Sequence, residues 1–372
     1  MTRTYLDWNA TAPVRPEARE AALKALDLSG NPSSIHQEGR EARRVRELAR
    51  EAAARWLGTS PEAIIFTSGG TESNAAAIYG LFRTASGSHR ILVSATEHPS
   101  VLENARLTAA RFGGELVLLP VDRSGVLPPG PLERELAKGA TLVSVHAANN
   151  ETGVLFPVDE IVHQARAAGV PVHVDATQWP GRLPLPSGLW GADLLTFSGH
   201  KLGALKGAGI LVNPGRRPLE PLITGGPQER GRRAGTENLA AIASLGAATE
   251  AIRTTGEAEF AHLAALDRWM TGRLAGSPWK PVTDDAPRLP NTWNLTLDQD
   301  AEPVIQALDL EGFAVSSGSA CSSGSVEPSH VLLAMGLSPA EARRSLRISA
   351  GRLTTTEDLE NVLKALERVC RR

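Results

Sequence analysis

Between residues 63 and 212 short apolar runs alternate with helical stretches, and almost every run ends in a polar cluster. The runs at 63–66, 91–94, 115–119, 141–145, 170–174, 194–197 and 209–212 have strand length. Helical patterns follow several of them, from about 74, from about 100 and over 158–168. Strands that alternate with helices predict a mostly parallel sheet with helices on both faces. The run at 209–212 reads as a returning strand, so the expected fold class is α/β with a mixed, mostly parallel sheet. Before it lie a helix at 17–28 and a long amphipathic one at 36–57, dense in Glu and Arg and stopped by Gly58. After about residue 246 the rhythm changes. Two helical stretches lead to a Pro-rich loop at 281–290, followed by a strand at 291–297, a helix at 302–311 and a short strand at 313–315. A Ser/Gly tract at 316–325, a helix at 328–335 and a strand at 345–349 come next. A last helix, opened by a capping box of Thr354 and Glu357, runs to about Cys370. This reads as a smaller α+β domain. The expected division is 15–247 for the large domain, and 1–14 with 248–372 for the small one.

Bulk properties exclude several classes. The formal net charge of -2 gives no general attraction to nucleic acid or to an anionic membrane. No apolar run approaches the ~18–20 residues of a membrane span, and the first residues lack the apolar core of a signal peptide. A cytoplasmic protein is expected. Two cysteines, Cys321 and Cys370, allow neither a disulfide framework nor a Cys-rich metal site.

In an open parallel sheet, ligands bind beyond the C-terminal ends of the strands. The polar clusters of this chain all fall there. The apolar run at 194–197 ends in Ser198-Gly199-His200-Lys201. A lysine just past a buried strand sheds its proton more easily than a surface one, because desolvation disfavours the ammonium. A neutral amine can hold an aldehyde as a Schiff base. The turn at 67–74 opens a helix, whose free N–H groups and positive end suit a phosphate; it is neither a Walker loop nor a dinucleotide fingerprint. Asp175 closes another apolar strand, where a carboxylate needs a cation, and a protonated ring nitrogen would serve. His98 closes a third strand, placed to lie against a flat ring. A phosphate cradle, a carboxylate, an imidazole and a Schiff-base lysine together form the toolkit for pyridoxal 5'-phosphate.

The motifs TSGGTESN (67–74), TEH (96–98), NNETG (149–153), HVDATQ (173–178), SGHK (198–201), RRAGTEN (232–238), SSGSACSSGSVEPSHVL (316–332) and LRIS (346–349) occur in one order along nearly the whole chain. In them the chain resembles the cysteine desulfurases of the NifS/IscS type, within the class V aminotransferases, which have the type I fold of pyridoxal-phosphate enzymes. The resemblance implies that Lys201 holds the cofactor, Asp175 pairs with its ring nitrogen, Gln178 bonds the ring hydroxyl, and His98 stacks on the ring and moves protons. It implies that Gly70, Thr71, Ser198 and His200 bind the phosphate, with Thr236 reaching the phosphate of the neighbouring subunit of a homodimer. Without it, Arg230, Arg232 and Arg233 read as a solvated basic loop. It further implies that Asn150 and Arg347 hold the substrate carboxylate. Trp8, Trp179 and Ala204-Leu205 depart from the usual pattern.

Cys321 is then the sulfur acceptor. Its Ser/Gly surroundings fit a tethered, solvated thiol better than a buried structural one. Cys370, on the last helix, reads as structural. The implied reaction converts L-cysteine to L-alanine and leaves a persulfide on Cys321. The persulfide sulfur passes to an iron–sulfur scaffold or another acceptor protein, for cluster assembly or tRNA thiolation. No metal site of the chain's own is expected, although Cys321 can touch a nascent cluster on a partner. Two rival readings stay open: selenocysteine lysis or another β-elimination on the same cofactor, and a catalytically inactive scaffold in a sulfur-transfer complex.

Overall fold

The computed structural model describes residues 3–85, 87, 89–283, 286–317 and 328–371. In chain order the elements are β1 (Thr4–Tyr5), α1 (Pro16–Leu26), α2 (Gln37–Leu57), β2 (Ile64–Thr67), α3 (Gly70–Thr84), β3 (Arg90–Ser94), α4 (Pro99–Arg111), β4 (Glu115–Leu119), α5 (Pro131–Ala137), β5 (Leu142–His146), α6 (Val158–Ala167), β6 (Val172–Asp175), β7 (Leu194–Ser198), β8 (Gly209–Val212), α7 (Leu239–Leu274), β9 (Lys280–Pro281), β10 (Thr292–Thr296), α8 (Ala301–Leu310), β11 (Phe313–Ala314), α9 (His330–Ala334), α10 (Pro339–Arg343), β12 (Ser345–Ser349) and α11 (Thr356–Cys370).

Seven strands form the main sheet in the order β2, β8, β7, β6, β5, β3, β4. β8 is antiparallel to both its neighbours, and the other pairs are parallel. The expected mixed, mostly parallel sheet is therefore the one present. Strands β5, β6, β7 and β8 are buried along their whole length, which is why they read as mainly apolar runs. Alternate side chains enter opposite layers, as the two-residue period of a strand requires. Leu92, Val143, Val145, Val174, Leu195 and Phe197 pack on one face. Ile91, Val93, Leu142 and Leu194 pack on the other, with Ile78 and Leu81 of α3.

A second core surrounds the antiparallel sheet β12-β10-β9 and includes Leu6, Trp293, Leu346, Ile348 and Leu363. The two helical stretches expected after residue 246 are one helix of 36 residues, α7. Its first half contributes Ile242, Leu245 and Ile252 to the first core, and its second half contributes Leu263, Leu266 and Met270 to the second. The expected boundary at 247/248 falls inside it. Gly256 lies buried within the helix, where an added Cβ would meet the Phe260 ring at 3.2 Å. The capping box of the last helix also shifts by one residue. Thr355 and Asp358 form it, because the Thr354 hydroxyl is taken by the N–H of Gly351 at 3.0 Å. Among the described residues no helix is long and apolar enough to cross a membrane.

Candidate active site

The C-terminal ends of β3, β5, β6 and β7 lie side by side in the main sheet. Asp175, the last residue of β6, is buried. Its Oδ2 accepts from Asn74 Nδ2 at 2.7 Å and its Oδ1 from the N–H of Thr177 at 2.9 Å. Neither bond brings it a positive charge. Buried carboxylates are costly without a cation or several donors, so the carboxylate is held in place with one demand left open. His98, past the end of β3, caps α4 and contacts Ser100 Oγ through Nδ1 at 2.7 Å. Ser100 Oγ in turn accepts from Asn74 Nδ2 at 2.9 Å. The His98 imidazole is held below its ordinary pKa by burial, with Lys201 and His330 adding to this and Asp175 opposing it.

Lys201 closes the turn after β7. Its ammonium donates to the main-chain carbonyl of Asn9. Gln178 Nε2 donates to the same carbonyl at 3.0 Å, so the two side chains converge on one oxygen. The Lys201 amine is pulled down from 10.5 to about 7, first by burial, then by Arg182 and Arg347; Asp7 and Asp175 oppose the shift. Arg182 is buried, and its guanidinium donates to the carbonyls of Gln178 at 2.9 Å and Trp8 at 3.3 Å. It places a charge near Lys201 that the sequence motifs had not assigned. His200 is pulled down to about 4 by burial, Lys201, Lys206 and Arg182, and its Nδ1 contacts Thr11 Oγ1 at 3.1 Å.

The loop between β2 and α3 rests on β8, where an added Cβ on Gly209 would meet the backbone of Gly69 at 2.5 Å. Only glycine permits that approach. The N-terminus of α3 therefore faces the end of β7. An added Cβ on Gly70 would come within 3.2 Å of Ser198 Cβ and 3.3 Å of Thr177 Oγ1. Thr177 Oγ1 and Gln178 Oε1 are buried and have no hydrogen-bond partner among the described residues. Unsatisfied buried polar atoms beside a positive helix end fit a polar, anionic ligand.

Arg347 lies in the middle of β12 and is 1% exposed. It meets Asp7 Oδ1 at 2.5 Å and donates to the carbonyl of Asn150 at 2.8 Å. Asn9 Nδ2 also donates to that carbonyl, at 3.2 Å. The segment from Asp7 to Asn9 thus ties the lysine end of the site to the arginine end. Ser316 exchanges main-chain hydrogen bonds with Arg347, at 2.6 and 3.2 Å. Beyond the tract that follows, Ser329 Oγ donates to the fully buried Glu151 at 2.5 Å, whose carboxyl is pushed up by burial. His330 Nε2 contacts the carbonyl of Glu97 at 2.9 Å. Cys321 lies outside the described residues.

Of the residues predicted from sequence, Gly70, His98, Asp175, Gln178, Ser198, His200 and Lys201 lie in this one region, and Asn150 joins Arg347 at its edge. Thr71 follows Gly70 and is exposed. Thr236 is exposed on the turn before α7, and no described contact brings it to the cradle of its own chain. Of the neighbouring arginines, Arg230 is exposed as expected of a solvated loop, whereas Arg232 and Arg233 are engaged. Arg232 donates to the carbonyls of Glu62 and Ile64 at 2.7 and 3.0 Å, and Arg233 pairs with Glu72 at 2.9 Å. Trp179 donates to the carbonyl of Pro184 at 2.8 Å and stands edge-on to Trp190. Trp8 is buried against Gly351, where any Cβ would strike its ring. Cys370 is half-buried on α11, its thiol pushed up by burial. Asn9, Asn74, Ser100, Thr177 and Arg182 are the members sequence reasoning missed. All but Asn9 and Arg182 lie in or within two residues of recognised motifs. Among the described residues no three His, Cys, Asp or Glu side chains are placed to hold a metal ion.

The family described as aminotransferase class-V matches residues 4–362. The chain is 41% identical to a cysteine desulfurase IscS of Dictyoglomus turgidum, over 98% of this chain and 94% of that one. It is 39% identical to a cysteine desulfurase NifS of Azotobacter vinelandii, over 98% and 92%. A solved structure of a NifS-like protein from Rickettsia africae superposes with a TM-score of 0.89 at 32% identity, covering 99% of both chains. The chain belongs to the class-V aminotransferase family, in the branch of the NifS/IscS-type cysteine desulfurases.

Proposed function

We propose that this chain binds pyridoxal 5'-phosphate and uses it to convert L-cysteine to L-alanine, with the sulfur left as a persulfide on Cys321. The observation that carries the reading is the convergence of a low-pKa lysine, a buried carboxylate held by neutral donors, and unsatisfied hydroxyl and amide oxygens beside a helix N-terminus. Pyridoxal phosphate, when bound, supplies an aldehyde for the lysine and an electron sink for bond breaking at the substrate Cα. The chain's own residues do the rest. Gly70, Thr71, Ser198 and His200 bind the phosphate, with Thr236 contributed by the second subunit of a homodimer. Asp175, oriented by Asn74 and by the N–H of Thr177, would accept from a protonated ring nitrogen. Gln178 would bond the ring hydroxyl. Lys201, about half neutral near pH 7, takes and returns a proton at Nζ. Arg347 and Asn150 hold the substrate carboxylate; a planar guanidinium can receive it bidentately once Asp7 yields.

The overall exchange balances: L-cysteine and the Cys321 thiol give L-alanine and the Cys321 persulfide. Chain length supports the role of Cys321, because five residues of extended chain keep it within about 18 Å of Ser316, which is bonded to Arg347. Residues 15–247 then form the cofactor-holding unit, and residues 1–14 with 248–372 the unit that brings the thiol. The persulfide passes to an iron–sulfur scaffold or another acceptor protein in the cytoplasm. The names of the relatives favour cysteine over selenocysteine as substrate. Cofactor-loaded protein given L-cysteine and a reducing thiol should release alanine and sulfide in equal amounts. Cys321→Ser should keep the visible cofactor absorbance and lose sulfide release. Undiminished release by that variant removes Cys321 from its role, and preferential turnover of selenocysteine by the wild type overturns the substrate assignment.

A further inference from the structure

The hydrogen bonds between Asp175 and His98 run in one direction. A carboxylate only accepts, so Asn74 turns its NH2 group, not its oxygen, toward Asp175 Oδ2 at 2.7 Å. The second hydrogen of the same amide goes to Ser100 Oγ at 2.9 Å. The hydroxyl hydrogen of Ser100 is then left for His98 Nδ1, 2.7 Å away. Independently, the main-chain N–H of Ser100 donates to the same Nδ1 at 3.1 Å, because His98 is the capping residue of α4. Two donors therefore meet Nδ1, and a proton there would face both. The positive end of a 13-residue helix also opposes an imidazolium at its cap. Among the described residues, the charged and titratable groups facing the ring include Asp175 on β6, Lys201 after β7 and His330 on α9.

We infer that His98 is held neutral with its hydrogen on Nε2, and that it serves the reaction as a hydrogen-bond donor through Nε2–H, not as a base. Asn74 and Ser100 are positioning residues that fix this tautomer and couple it to the orientation of Asp175. Proton abstraction falls to Lys201 alone. This deepens the desulfurase reading and rests on it for the chemistry, but the tautomer itself is a property of the chain.

The test uses the full-length protein with histidine side chains labelled in 15N, with and without pyridoxal phosphate. The His98 resonances are assigned by their loss in His98→Gln. From about pH 6 to about pH 8, Nδ1 is expected at the position of an unprotonated nitrogen, and Nε2 as a protonated one coupled to its hydrogen. Ser100→Ala should admit a measurable share of the other tautomer. Protonation of Nδ1, or an imidazolium at neutral pH, overturns the inference. In the loaded enzyme His98→Gln retains an N–H donor that His98→Ala lacks. Alanine formation from L-cysteine should be at least ~10-fold faster in the Gln variant; equal rates would overturn the donor role of His98. If the wild type forms no alanine while the nitrogen signals are as expected, the desulfurase reading fails and the tautomer assignment stands.

Discussion

Replacing Lys201 with Met should stabilise the cofactor-free chain, and do so in a pH-dependent way. The Lys201 amine titrates at about 7 in the fold against an ordinary 10.5. Below pH 7 the amine is protonated in both folded and unfolded chains, and the folded chain bears the whole cost of a buried ammonium. Above 10.5 both are neutral and the cost is gone. In between, the unfolded chain holds the extra proton, so stability rises with pH. At about 1.4 kcal/mol per tenfold change in proton activity, the cost is about 4 kcal/mol at pH 7 and about 1.4 kcal/mol at pH 9.5. Lys201→Met removes it. The carbonyl of Asn9 keeps its bond from Gln178, so the substitution costs only about 1 kcal/mol for the lost hydrogen bond. Urea unfolding of both proteins at the two pH values should show an advantage of about 3 kcal/mol for the variant at pH 7. That advantage should shrink by about 3 kcal/mol at pH 9.5. The difference between the two pH values cancels whatever packing change the methionine brings. A pH-independent gap, or a gap that grows with pH, would refute the buried, easily deprotonated amine.

Three further outcomes follow from particular contacts. Gly70→Ala places a methyl group 3.2 Å from Ser198 Cβ; the fold should persist while affinity for pyridoxal phosphate, followed by visible absorbance, falls at least ~10-fold. Asp175→Asn keeps an acceptor for Asn74 but removes the negative charge, and alanine formation should fall by at least ~100-fold; a smaller loss would mean that Asp175 only orders its neighbours. Ser329→Ala leaves the buried carboxyl of Glu151 without its 2.5 Å donor, which should cost about 1–3 kcal/mol of stability, measured by thermal unfolding, with cofactor absorbance intact.

The sheet was legible because its inner strands are buried on both faces and so read as mainly apolar runs that end in polar residues. Lys201, Asp175 and His98 stood out for the same reason, as charged or titratable groups where apolar runs stop. The 36-residue helix α7 was not legible as one element, because its two halves pack on different cores whose other members lie far along the chain. Asn9 and Arg182 were missed because their roles rest on partners far along the chain. Asn9 lies 192 residues from Lys201, and Arg182 acts on Lys201 through charge rather than contact. Asn74 and Ser100 carried a local signal, a polar side chain beside a recognised motif, but which of several such side chains closes the link from Asp175 to His98 depends on how two helices meet the same sheet edge.

The account turns on sulfur moving from the substrate amino acid to one thiol. Cofactor-loaded protein mixed with one equivalent of L-cysteine, without added reductant, should yield alanine and a single extra sulfur atom on the peptide that carries Cys321, read by mass spectrometry. Alanine formed with no sulfur on that peptide, or with the sulfur on Cys370 instead, would contradict it.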